Sequence, residues 1–331
     1  GTGSNRVTQF NLNTKMWNLQ KPLSHVTTNL CSSGCLGYAF FATGDFKAAT
    51  PADQIQMVNA SDDATFLSKT LFKPSDRQIQ RYNLTSGQME ENNMEKTRAG
   101  AVCACYSKGA STNYTGPGGN APRVFFAGGQ DDAGATDTVE MWLPGPDIKR
   151  RGEPEFAMSF SGRDRGGLVC GGRLVLAGGR AGVGQFEAET EDSYRQRITS
   201  NRGRSHPPKP KPKPPSLSDL VDVWMANATG PVSATRGRGG ATGSPGVKPQ
   251  QVYKLSEAVR LPKVVCLAER YVVIAGGHPA KGCFSSAMHL LDLDAPPASG
   301  SSLPLLPFTL NSTASTFAAV AFNNSAMFFN G

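Results

Sequence analysis

The feature that most constrains the fold is a short apolar run that ends in a pair of glycines. It occurs three times in full, at Arg123–Gly129, Arg173–Gly179 and Tyr271–Gly277, and twice in a weaker form, at Tyr38–Gly44 and Ala326–Gly331. Each run is long enough for one buried strand, and a glycine pair permits a tight exit with positive φ. The glycines that define the three full copies are Gly128, Gly129, Gly178, Gly179, Gly276 and Gly277.

Two further strings recur around these runs. One alternates apolar and polar residues, as a half-buried strand does, and has copies at Val7–Leu12, Ile55–Val58, Ile79–Leu84, Val139–Leu143, Val221–Met225 and Met288–Leu293. The other is a small apolar string before each glycine pair, at Gly100–Cys103, Gly167–Cys170, Lys263–Cys266 and Ala318–Ala321, with Asn29–Cys31 or Gly34–Cys35 as the earliest copy. With the turn and aromatic strand that follow, these strings predict a four-strand unit that repeats at about 50 to 60 residues, the signature of a propeller blade.

This order of strands resembles the kelch repeat. The resemblance implies an all-β, kelch-type β-propeller over residues 1–331 as a single domain, with six blades expected and seven as the alternative. It also implies a ring closed by N- and C-terminal strands in one blade, because the chain ends on the first half of a unit and opens on the second half. The copies between residues 45 and 85 depart from the pattern, which indicates an incomplete blade or missing residues there.

The formal net charge of +8 is concentrated in two predicted loop insertions. The Lys/Pro-rich insertion 181–218, counted together with Arg180, carries a net +4, and the Gly/Arg-rich insertion 232–250 carries +3. The remaining chain is almost neutral, so the sequence predicts no basic face on the folded body and no nucleic-acid partner.

The run from His206 to Pro215 favours the polyproline II conformation, because proline fixes φ and lacks a backbone donor. No apolar window approaches the roughly 20 residues that would cross a membrane, so we expect no membrane insertion.

Six Asn-x-Ser/Thr sites indicate passage through the secretory pathway, and several fall at predicted turns. They are Asn59, Asn83, Asn113, Asn227, Asn311 and Asn323. The chain has neither an initiator methionine nor a signal-peptide pattern, which suggests a mature chain or an excised piece. We therefore expect an extracellular or cell-surface location.

The seven cysteines divide into two groups by their place in the repeat. Cys103, Cys170 and Cys266 occupy the same place in successive small apolar strings, so we expect them to pack in the core. The other four stand outside that pattern and are the disulfide candidates, although their pairing cannot be read from the sequence. These candidates are Cys31, Cys35, Cys105 and Cys283.

No catalytic or metal-binding motif accompanies the four histidines, His25, His206, His278 and His289. We therefore expect no cofactor and a non-catalytic glycoprotein module that binds other proteins, within a larger extracellular or structural assembly. A cytosolic kelch adaptor is the first alternative. The second is a secreted copper-radical oxidase resembling galactose oxidase, which would need two His and two Tyr ligands and a linking Cys. Tyr38, Tyr82 and Tyr253 match no local motif of that family.

Overall fold

In the computed structural model of the protein, all regular structure in the described residues is β-strand. The described residues are 6–11, 14–23, 27–28, 31–36, 38–42, 45–47, 72–74, 78–83, 86, 88–93, 98, 100–107, 122–131, 134–144, 148–150, 156–181, 216–227, 247–280, 284–310, 317–322 and 325–330.

The strands are numbered in chain order. The first nine are β1 (Thr8–Asn11), β2 (Met16–Leu19), β3 (Thr27–Thr28), β4 (Cys31–Cys35), β5 (Tyr38–Ala42), β6 (Asp45–Lys47), β7 (Phe72–Pro74), β8 (Gln78–Asn83) and β9 (Met89–Asn93). The next nine are β10 (Val102–Tyr106), β11 (Arg123–Ala127), β12 (Gln130–Asp131), β13 (Gly134–Ala135), β14 (Thr138–Pro144), β15 (Ile148–Arg150), β16 (Phe156–Ala157), β17 (Gly166–Cys170) and β18 (Arg173–Ala177). The last nine are β19 (Leu220–Met225), β20 (Gln251–Lys254), β21 (Val259–Arg260), β22 (Lys263–Leu267), β23 (Tyr271–Ala275), β24 (His278–Pro279), β25 (Met288–Asp292), β26 (Phe317–Phe322) and β27 (Ser325–Asn330).

Four antiparallel sheets follow the predicted order of strands. Sheet A is β4-β5-β8-β9, sheet B is β10-β11-β14-β15 with β16 beside β14, sheet C is β17-β18-β19-β20, and sheet D is β22-β23-β25. In sheet D, Leu305 forms an isolated bridge to His289 at the outer edge, where the other sheets have a fourth strand. The small apolar strings form the first strands, and the runs before the glycine pairs form the second strands.

The sheets pack face to face in chain order. Their first strands, β4, β10, β17, β22 and then β26, each contact the next. A separate buried layer lies between each pair of neighbouring sheets, as between sheets B and C, where the rings of Phe125, Phe156 and Trp224 stack with centroids 5.9 and 5.8 Å apart. Both faces of each inner sheet are therefore covered, and the second strands read as continuous apolar runs.

The pairing of β5 with β8 changes the interpretation of residues 43–77. Ala42 lies opposite Ile79, so the run Ile79–Asn83 is the third strand of the same sheet that begins at Cys31. The stretch between β5 and β8 is thus an insertion within sheet A, and its strands β6 and β7 form a small sheet with β3, which precedes sheet A in the sequence. The predicted third-strand copy Ile55–Val58 lies outside the described residues. The blade count stays a prediction.

Two hairpins stand at the ends of the chain. β1 pairs with β2, and β26 pairs with β27. Phe328 of β27 packs against the buried layer of sheet D, which continues the series of stacked sheets by one more member. Pairing of the two hairpins in one closing blade stays a prediction.

Candidate functional site

The two ends of each sheet differ in the loops that they carry. At one end, which we call the Gly-Gly end, the second strand runs into its glycine pair and each sheet connects to the next. The other end, the opposite end, carries the turns from the first to the second strand and from the third to the fourth. The insertion that follows Arg180 belongs to the Gly-Gly end, whereas the stretches after Tyr106 and Met225 belong to the opposite end.

The glycine pairs bring neighbouring sheets into close contact. Gly178 and Gly179 have φ of 61° and 113°, which disfavour any residue with a side chain. A Cβ added to Gly178 would collide with the carbonyl oxygen of Val259, in the connection to the next sheet. The backbone N–H of Gly179 donates to the same carbonyl at 2.8 Å. The pair therefore fixes the position of the loop that follows.

A chain of backbone hydrogen bonds links three successive connections between sheets. The N–H of Asp164 donates to the carbonyl of Gly100 at 3.0 Å, and the N–H of Leu261 donates to the carbonyl of Asp164 at 2.6 Å. All three residues have positive φ (69°, 58° and 56°) and stand two positions before the first strand of their sheet. This repeated geometry sets the residues beside it at defined positions on the Gly-Gly end.

Three arginines and one aspartate lie along this backbone; we call them the arginine cluster (Arg163, Asp164, Arg180, Arg260). Arg163 and Arg260 occupy equivalent positions, three residues before β17 and β22, and Arg180 follows the second glycine of its pair. Arg163 and Arg180 exchange backbone hydrogen bonds of 3.0 and 2.9 Å. Asp164 Oδ1 lies 3.2 Å from Arg163 Nε, and its Oδ2 lies 2.6 Å from Arg180 Nε.

The arginine cluster carries more positive than negative charge. Burial lowers the pKa of Arg180, and the neighbouring Arg163 and Arg260 lower it further, while Asp164 opposes the shift. Asp164 thus forms ion pairs with both Arg163 and Arg180. The sequence-based expectation that the body has no basic face stays a prediction, and the three arginines come together only through the sheet connections.

Two fully buried ion pairs lie beneath the Gly-Gly end. In sheet C, Arg165 Nη1 donates to Asp222 Oδ2 at 2.9 Å, and both side chains are at most 1% exposed. In sheet B, Arg98 Nε donates to Glu140 Oε1 at 3.2 Å. Both guanidiniums also donate to backbone carbonyls, such as those of Thr138 and Leu176. Neither ion pair was predicted, because the arginine and the acid lie 42 residues apart in sheet B and 57 residues apart in sheet C.

His289 stands in sheet D where the acids stand in sheets B and C. It pairs across the strands with Ile274, as Asp222 pairs with Leu176. Its Nε2 accepts the backbone N–H of Ser256 at 2.9 Å and lies 3.0 Å from the hydroxyl of the same residue. Burial lowers the pKa of His289, although the neighbouring Glu257 opposes the shift. A neutral imidazole therefore secures the connection from sheet C to sheet D.

Lowering the pH is expected to weaken the fold through His289. The unfolded chain binds the proton more readily, so this contribution is complete above the ordinary histidine pKa of 6.5 and is lost as the pH falls below it towards the lowered value. Thermal unfolding between pH 7.5 and 5 should show a weaker pH dependence for His289→Asn than for the wild type. Parallel curves for the two proteins would contradict this role.

The three disulfides correct the expected roles of the cysteines. They join Cys31 to Cys103, Cys35 to Cys105 and Cys170 to Cys266, each between the first strands of neighbouring sheets. Cys103, Cys170 and Cys266 were expected to pack as thiols in one register. They are instead disulfide-bonded, and they lie opposite Phe126, Arg173 and Val272, three different positions of the second strand. Three disulfide candidates, Cys31, Cys35 and Cys105, are bonded, and Cys283 lies outside the described residues.

Two of the six candidate glycosylation sites are described, and both lie at the opposite end. Asn83 ends β8 and is half-buried, with its Oδ1 accepting the backbone N–H of Ser86 at 3.0 Å. Asn227 is half-buried in the turn after β19. The other four, Asn59, Asn113, Asn311 and Asn323, lie outside the described residues.

The residues considered for metal binding are separated. Within the described ranges, no three His, Cys, Asp or Glu residues are grouped so that they could hold a metal ion. His278 packs edge-on against Phe284 at 4.6 Å, and Tyr253 is buried in the layer between sheets C and D, where burial raises its pKa. The ring centroids of Tyr38 and Phe40 lie 6.4 Å apart. His25 and His206 lie outside the described residues, as does the side chain of Tyr82. No helix in the described part of the chain could span a membrane.

Comparison with known proteins identifies the fold alone. No family model and no curated protein matches the sequence. Among solved structures, one entitled "Structure of YjhT" matches with a TM-score of 0.53 and 14% sequence identity, over 92% of this chain and 76% of that one. Together with the stacked antiparallel sheets, this similarity shows that the chain has an all-β, propeller-like fold.

Proposed function

We propose that this protein is a secreted or cell-surface glycoprotein module of the kelch type, which binds other proteins through its Gly-Gly end and performs no catalysis. In this proposal the hairpins β1–β2 and β26–β27 pair to close the ring. The partner belongs to an extracellular assembly, and no cofactor takes part.

The observation that carries the proposal is the set of three disulfides. Each one joins two neighbouring sheets, and the bonded residues are 70 to 96 positions apart in sequence. Disulfides that cross-link distant parts of a fold persist in oxidising compartments and are rare in the cytosol. They favour the extracellular module over a cytosolic adaptor, and they suit a rigid body whose loops provide recognition.

The arrangement of charge and sequons supports the Gly-Gly end as the binding surface. Both described sequons, Asn83 and Asn227, lie at the opposite end, where bulky glycans would obstruct a protein partner. The Gly-Gly end carries the arginine cluster, and arginine is enriched at protein interfaces.

Intact-mass analysis of the chain purified from its native source tests this proposal. We expect a mass above that of the polypeptide, which falls on deglycosylation, and alkylation of only one of the seven cysteines before reduction. The variants Asn83→Gln and Asn227→Gln should each remove one glycan. An unmodified and fully reduced chain would favour the cytosolic adaptor instead. Bound copper with oxidase activity would favour the secreted copper-radical oxidase.

A further inference from the structure

We propose that His289 is the centre of a pH-sensitive latch, which holds the connection 255–261 to sheet D while its imidazole is neutral and releases the connection when the imidazole is protonated. We call the four residues Ser256, Glu257, Ser285 and His289 the histidine latch. The connection joins sheet C to sheet D at the Gly-Gly end. The inference rests on the proposed function only for its consequence, which is weaker partner binding in acid.

Sheet D lacks the buried ion pair that sheets B and C have in the same place. In sheet C, the acid Asp222 pairs with Arg165, the residue directly before the first strand. In sheet D, His289 takes the position of the acid, and Pro262 takes the position of the arginine. A pair with permanent charges is thus replaced by one group whose charge changes near neutral pH.

The neutral imidazole holds the connection through the backbone. His289 is 3% exposed, and its Nε2 accepts the backbone N–H of Ser256 at 2.9 Å. The ring also donates to the backbone of Ile274, its neighbour across the strands. Because Nε2 is the acceptor, the proton of the neutral ring lies on Nδ1. Both ring nitrogens are therefore used, and the imidazole ties the connection to the middle strands of sheet D.

Protonation removes this bond and leaves a buried cation. A proton on Nε2 turns the acceptor into a donor that points at the N–H of Ser256. The Ser256 hydroxyl, 3.0 Å away, can turn to accept it, but the N–H loses its acceptor. A buried cation also requires a counterion. Among the described residues, the charged group that acts on the ring is Glu257, while Ile274 and Leu305 flank it without charge.

Glu257 has a different partner in the neutral state. It is half-buried, and its Oε1 accepts the hydroxyl of Ser285. Ser285 is itself fixed to sheet D, because its N–H donates to the carbonyl of Gly277 at 2.8 Å and its hydroxyl accepts the N–H of Ala287 at 3.2 Å. A hydrogen bond between an imidazolium and a carboxylate is stronger than one from a neutral hydroxyl. Protonation therefore favours the transfer of Glu257 from Ser285 to His289, which gives the latch two arrangements.

The connection also holds the base of the Lys/Pro-rich insertion. The N–H of Val259 donates to the carbonyl of Ser218 at 3.2 Å, and the carbonyl of Val259 accepts the N–H of Gly179 at 2.8 Å. Ser218 and Gly179 stand at the two ends of the insertion and are joined by a backbone hydrogen bond of 2.9 Å. Movement at Ser256, three residues before Val259, thus reaches both ends of the insertion. Opening of the latch loosens this part of the Gly-Gly end.

Amide hydrogen exchange of the oxidised chain tests the latch, with rates corrected for the intrinsic effect of pH. Between pH 7.5 and 5, protection of residues 255–261 should fall at least tenfold, while β11 of sheet B stays protected. His289→Gln should keep the connection protected at both pH values, because its amide oxygen accepts the Ser256 N–H without titrating. The control, His278→Gln, removes a neighbouring histidine and should respond as the wild type does.

A second variant separates the latch from a merely structural histidine. Glu257→Gln removes the counterion of the protonated ring, so the midpoint of the response should move to lower pH. This test stands even where His289→Gln fails to fold. An unchanged midpoint, an equal response in folded His289→Gln, or loss of protection in all sheets together would overturn the latch. If the response is absent but the oxidised chain still captures its native partner, the inference fails and the proposed function stands.

Discussion

Removing both disulfides between sheets A and B is expected to lower the free energy of unfolding by about 6 to 7 kcal/mol, although removing either one should cost only about 2 kcal/mol. Cys31–Cys103 and Cys35–Cys105 join the same two strands, so each one alone closes a loop of 72 or 70 residues. Once one is present, the other closes a ring of only about six residues and restricts the unfolded chain much less. Either bridge can therefore replace most of the effect of the other.

Denaturant unfolding of alanine variants measures this redundancy. Two double variants each remove one bridge: Cys31→Ala with Cys103→Ala, and Cys35→Ala with Cys105→Ala. A fourfold variant combines all four substitutions. Because most domains have a net stability of about 5 to 15 kcal/mol, the fourfold variant should be close to unfolding in water. The matched control removes Cys170–Cys266, a single bridge over 96 residues, and should cost about 4 to 5 kcal/mol. Additive effects of the two redundant pairs would contradict the loop-closure explanation.

The order of strands within a sheet could be predicted because it depends on local patterns. A second strand such as Arg173–Ala177 is covered on both faces, so it reads as an uninterrupted apolar run, and its glycine pair marks the turn. The third strand was recognised by its alternation, as at Val221–Met225. Both signals lie within a few residues of one another and do not require knowledge of the rest of the chain.

Register and convergence could not be predicted, because they depend on residues far apart in sequence. Cys103 and Cys170 end apolar strings that look alike, so the sequence predicts equivalent positions for them in their sheets. In the structure they lie opposite different positions of the second strand, because a strand can shift along its neighbour without any change in its apolar pattern. The arginine cluster was missed for the same reason. One signal was available: Arg163 and Arg260 stand at the same distance before their first strands.

Sheet A shows how an insertion misleads a count of repeats. The alternating string at Ile79–Asn83 was separated from Tyr38–Ala42 by more than a usual loop, which favoured a blade boundary between them. The structure pairs them as neighbouring strands. Sheet C has the same design, with a long insertion between β18 and β19. Long insertions after the glycine pair are tolerated because loop-closure entropy grows only slowly with length.

Replacing Asp222 by asparagine is expected to lower the free energy of unfolding by about 3 to 5 kcal/mol, because it leaves the guanidinium of Arg165 buried without a counterion. Asparagine has almost the same volume as aspartate, so no cavity contributes to the loss. Arg165 would keep its hydrogen bonds to the carbonyls of Leu176 and Leu220, at 3.2 and 3.4 Å, but these carry no net charge. The backbone N–H of Ser159 would keep an acceptor only if the new amide oxygen faced it.

A second substitution distinguishes lost charge compensation from general damage to the core. Arg165→Met combined with Asp222→Leu removes both charges and should recover much of the stability, since apolar replacements of buried ion pairs are often neutral or stabilising. The matched surface control is Asp292→Asn, which breaks the exposed pair with Arg270 and should change stability little. A double variant as unstable as Asp222→Asn would show that the polar network itself, rather than the unpaired charge, holds the third strand of sheet C in place.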